Sequence, residues 1–164
     1  MTGTPGTGKT TATERLDTDL ATIHLNDVIK SEGLSTDVDE ERGSLVADMD
    51  ALAEWLADED DVVVESHLAH NFDADRVVVL RAHPDTVIER LRGRGDSDAK
   101  AFENAESEAL DVILSEAVDR HGTENVYEIE TTDRDPDAVA AEITAVVDGE
   151  REPSAGTVSY VDWL

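Results

Sequence analysis

Gly3-Thr4-Pro5-Gly6-Thr7-Gly8-Lys9-Thr10 fits the phosphate-binding pattern G-x-x-x-x-G-K-[ST] at every position. Its glycines let successive backbone N–H groups turn inward onto a polyphosphate. A helix expected from Lys9 to about Asp17 turns its positive N-terminus to the same anion. In this reading Lys9 reaches the β- and γ-phosphates of ATP, and the Thr10 hydroxyl takes one position on Mg²⁺. Gly6, Gly8 and Thr11 complete the nucleotide-binding set. Only Met1 and Thr2 precede the motif, whereas such a loop normally hangs from a buried central strand. The expectation is a central strand truncated by about five residues, one short strand's worth.

Working outward, strand-like and helix-like segments alternate. Ala21–Leu25 reads as a strand, Val28–Glu32 as a helix capped by Asn26 or Asp27, and Thr36–Gly43 as irregular. Leu45, Met49, Leu52, Ala53 and Leu56 recur at helical spacing, so a helix is expected from Leu45 to Asp58, with Trp55 in the core. Asp61–Glu65 and Val77–Leu80 are continuous apolar runs that suit strands covered on both faces. Pro84 opens a helix that Gly93 ends. A long helix is expected from Asp98 to Arg120, burying Phe102, Leu110, Ile113, Leu114 and Ala117. Val126–Ile129 is the last strand, and Pro136–Val147 the closing helix. The pattern specifies an α/β fold of P-loop NTPase type, a parallel sheet with helices on both faces. One domain spans 1–148 and a tail 149–164; resemblance to the nucleoside monophosphate kinases implies an acceptor-binding insertion at about 24–48 and a short lid at about 93–103 within it.

The composition is strongly acidic: 40 Asp and Glu face 13 Lys and Arg in 164 residues, a net charge of −27. Hydrophobic residues make up 39%, so the chain can build a core and is not a disordered acidic tract. A cytosol of high salt explains the charge, since screening mutes the self-repulsion. Free nucleic acid is excluded as a direct partner by a surface this negative. There is no cysteine, no signal peptide and no apolar run of membrane-spanning length. A cytoplasmic location is expected, with no membrane partner.

Against that background, six of the 13 cations crowd between Arg76 and Lys100: Arg76, Arg81, Arg90, Arg92, Arg94 and Lys100. Arg92 and Arg94 flank Gly93 and are placed to close over transferring phosphates, with Arg94 the stronger catalytic and nucleotide-binding candidate. Glu65, ending a buried strand, stands where a carboxylate holds Mg²⁺ through its water shell. His67, two residues on, is placed to orient a nucleophile or a phosphate. On the acceptor side, His24 ends the second strand, and Lys30 on the following helix is one of three lysines. Both are substrate-binding candidates.

The ordered set resembles the adenylate kinase isoenzyme 6 family, small kinase/ATPases of eukaryotic nuclei and archaea. The likeness covers the chain to about Asp148. It rests on Thr2–Thr11, Val64-Glu65-Ser66-His67, Val78-Val79-Leu80-Arg81 and Glu89-Arg90-Leu91 followed by Arg94-Gly95, together with Asn104, Glu108, Glu116 and Ala117. Departures are Glu65 for the usual Asp, Asp96 where an aromatic is usual, and Lys30 near an arginine that serves the acceptor phosphate in relatives. Asn71-Phe72-Asp73-Ala74 also replaces the usual Phe-Pro-Glu-Arg. The resemblance implies Mg²⁺-dependent transfer of the ATP γ-phosphoryl to AMP or another nucleoside monophosphate, with ATPase activity. It also implies the alternative of an ATP-switched factor in small ribosomal subunit maturation and rRNA processing, with a small-subunit ribosomal protein as partner.

Overall fold

Two residues join the two halves of the sheet. Strand β1 (Ala21–His24) pairs in parallel with β4 (Val62–Glu65), and β5 (Val77–Arg81) in parallel with β6 (Val126–Glu130). Between them, the Thr2 N–H donates to Val78 O at 2.8 Å and the Leu80 N–H to Thr2 O at 3.0 Å. On the other side the Met1 ammonium donates to Val64 O at 2.7 Å, and the Ser66 N–H to Met1 O at 3.2 Å. The order across the sheet is therefore β1, β4, Met1–Thr2, β5, β6. The computed structural model describes residues 1–41 and 44–164.

Alternation along β5 sets the layers. Val78 and Leu80 pack on one face with Ala12, Val139, Ile143 and Val146, from helices α1 (Lys9–Thr13) and α7 (Pro136–Val147). Val77 and Val79 pack on the other with Leu114 and Ala117 of α6 (Val112–His121). Both faces are covered, which is why these strands read as unbroken apolar runs. The α/β architecture expected from the sequence is the one observed.

Several boundaries differ from expectation, each for a local reason. Helix α1 stops at Thr13, well before Asp17. Helix α2 (Leu25–Ser31) starts directly after β1 at His24, with no side-chain cap from Asn26 or Asp27. The stretch expected to be irregular instead holds an antiparallel hairpin, β2 (Ser35–Asp39) with β3 (Ser44–Ala47); Arg42 and Gly43 lie outside the described residues. Leu45 belongs to that hairpin because Asp48 starts α3 (Met49–Leu56) only later, its carboxylate accepting from the Ala51 N–H. Trp55 is half-buried and stands outside the cluster of Leu25, Ile29, Leu52 and Phe72.

The long helix is broken. Asp111 takes a left-handed φ of 55°, dividing the segment into α5 (Asp98–Ala109) and α6. The break rotates the apolar stripe, and Phe102 (49%) and Leu110 (57%) are exposed rather than buried. Helix α5 turns Ala101 and Ala105 instead towards Val87, Ile88 and Leu91 of α4 (Pro84–Gly93). Small residues at that contact let the two helices approach closely.

Beneath α4 and α5 sits a buried ionic cluster. Arg81, at 1% exposure, donates to Glu108 at 2.8 Å, to Glu128 at 2.5 Å and to Asp111. Burial opposes its charge, but Glu108 and Asp111 outweigh that and raise its pKa. The tail closes over the same cluster: the Thr157 N–H donates to Glu128 Oε2 at 2.6 Å and the Tyr160 hydroxyl to Glu130 at 2.5 Å. Trp163 packs on the α4–α5 contact. Among the described residues, no helix is long and apolar enough to cross a membrane.

Candidate active site

At the carboxyl ends of the strands the phosphate loop closes tightly. Gly3 has no room for a side chain: a Cβ there would stand 2.6 Å from Leu80 O. Gly8 takes φ 91°, left-handed, where the loop passes into α1. Lys9 folds back across the loop, its Nζ donating to Gly3 O at 2.8 Å and Thr4 O at 3.0 Å. Burial pushes the Lys9 pKa down to about 8, with Glu65 opposing and Arg94 adding to the fall. Because α1 has only five residues, the anion-binding field comes from the loop amides and Lys9 more than from a helix dipole.

A cavity of about 880 Å³ opens over the loop, the size of a site for a whole cofactor. Gly6, Gly8, Lys9, Thr10, Thr11, Glu65, His67 and Arg94 all line it. The structure therefore brings together the candidate residues of the phosphate loop, the β4 end and the α4 C-terminus. A smaller cleft of about 550 Å³ lies at the opposite edge and is lined by Asp17, Asp19, Asp60, Asp61, Asp75 and Asp148. Its carboxylates repel a polyphosphate, so the charge pattern selects the first cavity.

Two candidates fall elsewhere. His24 faces Glu65 across the β1–β4 pairing, with Nδ1 2.8 Å from Glu65 Oε2. It braces that carboxylate from behind and does not line the cavity. Lys30 is exposed on α2 and also stands outside the lining. Burial, followed by the charge of Lys9, pushes the His67 pKa down to about 4, so its imidazole is neutral at neutral pH. His70 is buried as a structural link, bonded to the Thr2 hydroxyl at 2.9 Å and to Glu116 at 2.8 Å.

The six clustered cations divide. Arg76 caps the Val147 carbonyl, Arg81 is buried in the core cluster, and Arg92 pairs with Asp98 at 2.7 Å. Arg90, Arg94 and Lys100 line the cavity. Arg90 was not among the expected site residues, although a signal was present: residues 90 and 94 are one helical turn apart on one face, and 92 is not. Its Nη1 donates to Gly6 O and Thr131 Oγ1, both at 3.1 Å, tying the phosphate loop to the loop after β6. Helix α5 supplies Glu103, Asn104 and Ser107 to the far wall. From the same helix Glu108 reaches under the loop and accepts from the Thr4 hydroxyl at 2.5 Å.

Metal ligation can be judged from the donors present. Among the described residues, no three His, Cys, Asp or Glu side chains cluster to form a metal cage. Thr10 and Glu65 on one cavity wall instead fit the sparse protein ligation of Mg²⁺, which is held largely by water and phosphate oxygens.

A family model described as an AAA domain matches residues 1–111. A protein of Natronomonas pharaonis named "Putative adenylate kinase" is 63% identical over the whole chain, which covers 98% of that relative. A Halobacterium salinarum protein of the same name is 62% identical, with the whole chain again covering 98% of it. One from Methanothermobacter thermautotrophicus is 42% identical across the whole chain and 97% of the relative. The chain belongs to this adenylate kinase family. It is a phosphotransferase, and in this kinase the phosphate loop, the β4 carboxylate and Arg94 at the end of α4 share one cavity.

Proposed function

We propose that the enzyme transfers the γ-phosphoryl of ATP to a nucleoside monophosphate, AMP by default, with Mg²⁺ held by Thr10 and Glu65. One observation carries this reading: the cavity does not end at the phosphate loop. Besides the phosphate-loop residues, Glu65 and His67, its lining includes Asn26, Ser44, Asn104 and Ser107, with Glu103, hydrogen-bonding groups suited to a second nucleotide. Lys9, Arg90, Arg94 and Lys100 line the same cavity, in a chain of net charge −27. Phosphoryl transfer needs little more than positioning and fixed positive charge where negative charge builds. The name of the relatives supports AMP as acceptor. The test is turnover of ATP with and without AMP. ADP should form far faster with AMP present, and equal rates would sink the reading.

A slower hydrolysis is favoured by His67. A neutral imidazole on the cavity wall can orient water, although a pKa of about 4 makes it a weak base until a polyphosphate arrives. His67→Ala should cut ATP hydrolysis by about tenfold to a hundredfold, the lower part of the general-base range, and AMP phosphorylation by less, because the acceptor phosphate is its own nucleophile. Equal losses in both activities would place His67 on the shared phosphates instead.

A further inference from the structure

Asp96 stands at the lid entry, and nothing in the reading so far uses its carboxylate. Its main chain is fixed between two helix ends. The Asp96 N–H donates to Leu91 O at 3.1 Å and the Gly95 N–H to Arg92 O at 2.9 Å, while Ser97 caps α5. Its side chain, 16% exposed, bonds two cations at once. Oδ2 accepts from Arg94 Nη2 at 3.0 Å and from Nε at 3.3 Å. Oδ1 stands 2.9 Å from Lys100 Nζ. Arg94 and Lys100 both line the cavity and Asp96 does not, so the carboxylate stands behind the pair.

Among the described residues, Asp96 takes only part of the donor set of each cation. Arg94 offers its Nε–Nη2 edge to Asp96, and Nη1 makes no contact with that carboxylate. Lys100 gives Asp96 one of three ammonium protons. Without the shared carboxylate, two like charges on one wall would separate into solvent on long, flexible stems. The field of Arg94 already reaches Lys9, and that of Lys100 reaches His67, so their placement bears on the centre of the cavity.

We propose that Asp96 is a positioning residue for phosphoryl transfer, holding Arg94 and Lys100 as one preset pair of donors facing the polyphosphate at Lys9. The proposal rests on the phosphoryl-transfer reading of the cavity. An ordinary exposed ion pair would contribute little; here one anchored carboxylate sets two cavity cations together. Preset donors act most where charge develops in the transition state, so the effect belongs in kcat.

The experiment is a mutant cycle on the full chain with ATP and AMP as substrates. Asp96→Asn keeps the shape and removes the charge. It should lower kcat about tenfold while KM for ATP moves less than threefold. In an Arg94→Ala, Lys100→Ala background the same substitution should cost nothing further. A parent-like kcat in Asp96→Asn beside a damaged Arg94→Ala enzyme overturns the proposal alone. So does a loss that adds in full to the double variant, which would mean Asp96 acts through the fold. Parent-like rates in Arg94→Ala and Lys100→Ala would sink the reading of the cavity and this proposal with it.

Discussion

Lys9, directly after Gly8 in the phosphate loop, has one electrostatic task there, and the structure puts its ammonium on the loop carbonyls. Lys9→Ala should lower turnover about a hundredfold, roughly 3 kcal/mol of lost charge stabilisation; a rate within threefold of the parent would refute the assignment. His24 and Lys30 stand outside the cavity lining, and strand-end position alone does not say which way the His24 side chain turns. In His24, the parallel register with Glu65 decides it. His67 gives a pH test. Its pKa falls from 6.5 unfolded to about 4 folded, so between these values the unfolded chain binds more protons. Stability is full above 6.5 and is lost as pH drops towards 4. His67→Asn should melt with a shallower fall across that window than the parent. Superimposable profiles would show that burial of His67 is not felt.

Elements were legible where apolar runs are unambiguous and illegible where a break depends on one polar residue. Strands β4 to β6 and helices α4 and α7 follow the sequence pattern closely. The split at Asp111 was hidden because an aspartate within a helical pattern gives no sign of a positive φ. It becomes intelligible once Asp111 is seen paired with Arg81. The β2–β3 hairpin was hidden too, its Val38, Leu45 and Val46 lying exposed and so lacking a period-2 contrast between faces. Helix α5 is held in place by Glu108, which bonds Arg81, the Ala82 N–H and the Thr4 hydroxyl together. Glu108→Ala leaves these buried groups short of a partner, with Glu128 and Asp111 still on Arg81. The expected cost is about 3 kcal/mol, the lower end for breaking a buried ion pair, read as a fall in chemical-denaturation midpoint. A change below 1 kcal/mol would mean the helix is held by its alanine contacts alone.

The whole molecule is governed by its net charge of −27. We expect helical circular dichroism and melting temperature to fall as salt is reduced from molar to dilute, because 40 carboxylates lose their screening. A melting temperature independent of salt would assign the acidity another cause. The structure adds where the opposite charge sits: Arg90, Arg94, Lys100 and Lys9 line one concavity, while aspartates line the cleft at the far edge. An incoming nucleotide, itself an anion, thus meets repulsion at long range and attraction only at the mouth. The Debye length shrinks from about 10 Å at 0.1 M salt to about 3 Å at 1 M, which silences the distant carboxylates before the nearby cations. Association kinetics should accordingly run opposite to ordinary steered capture. In stopped-flow mixing, read in the first milliseconds before the chain loosens, the bimolecular rate constant for a fluorescent ATP analogue should climb with ionic strength.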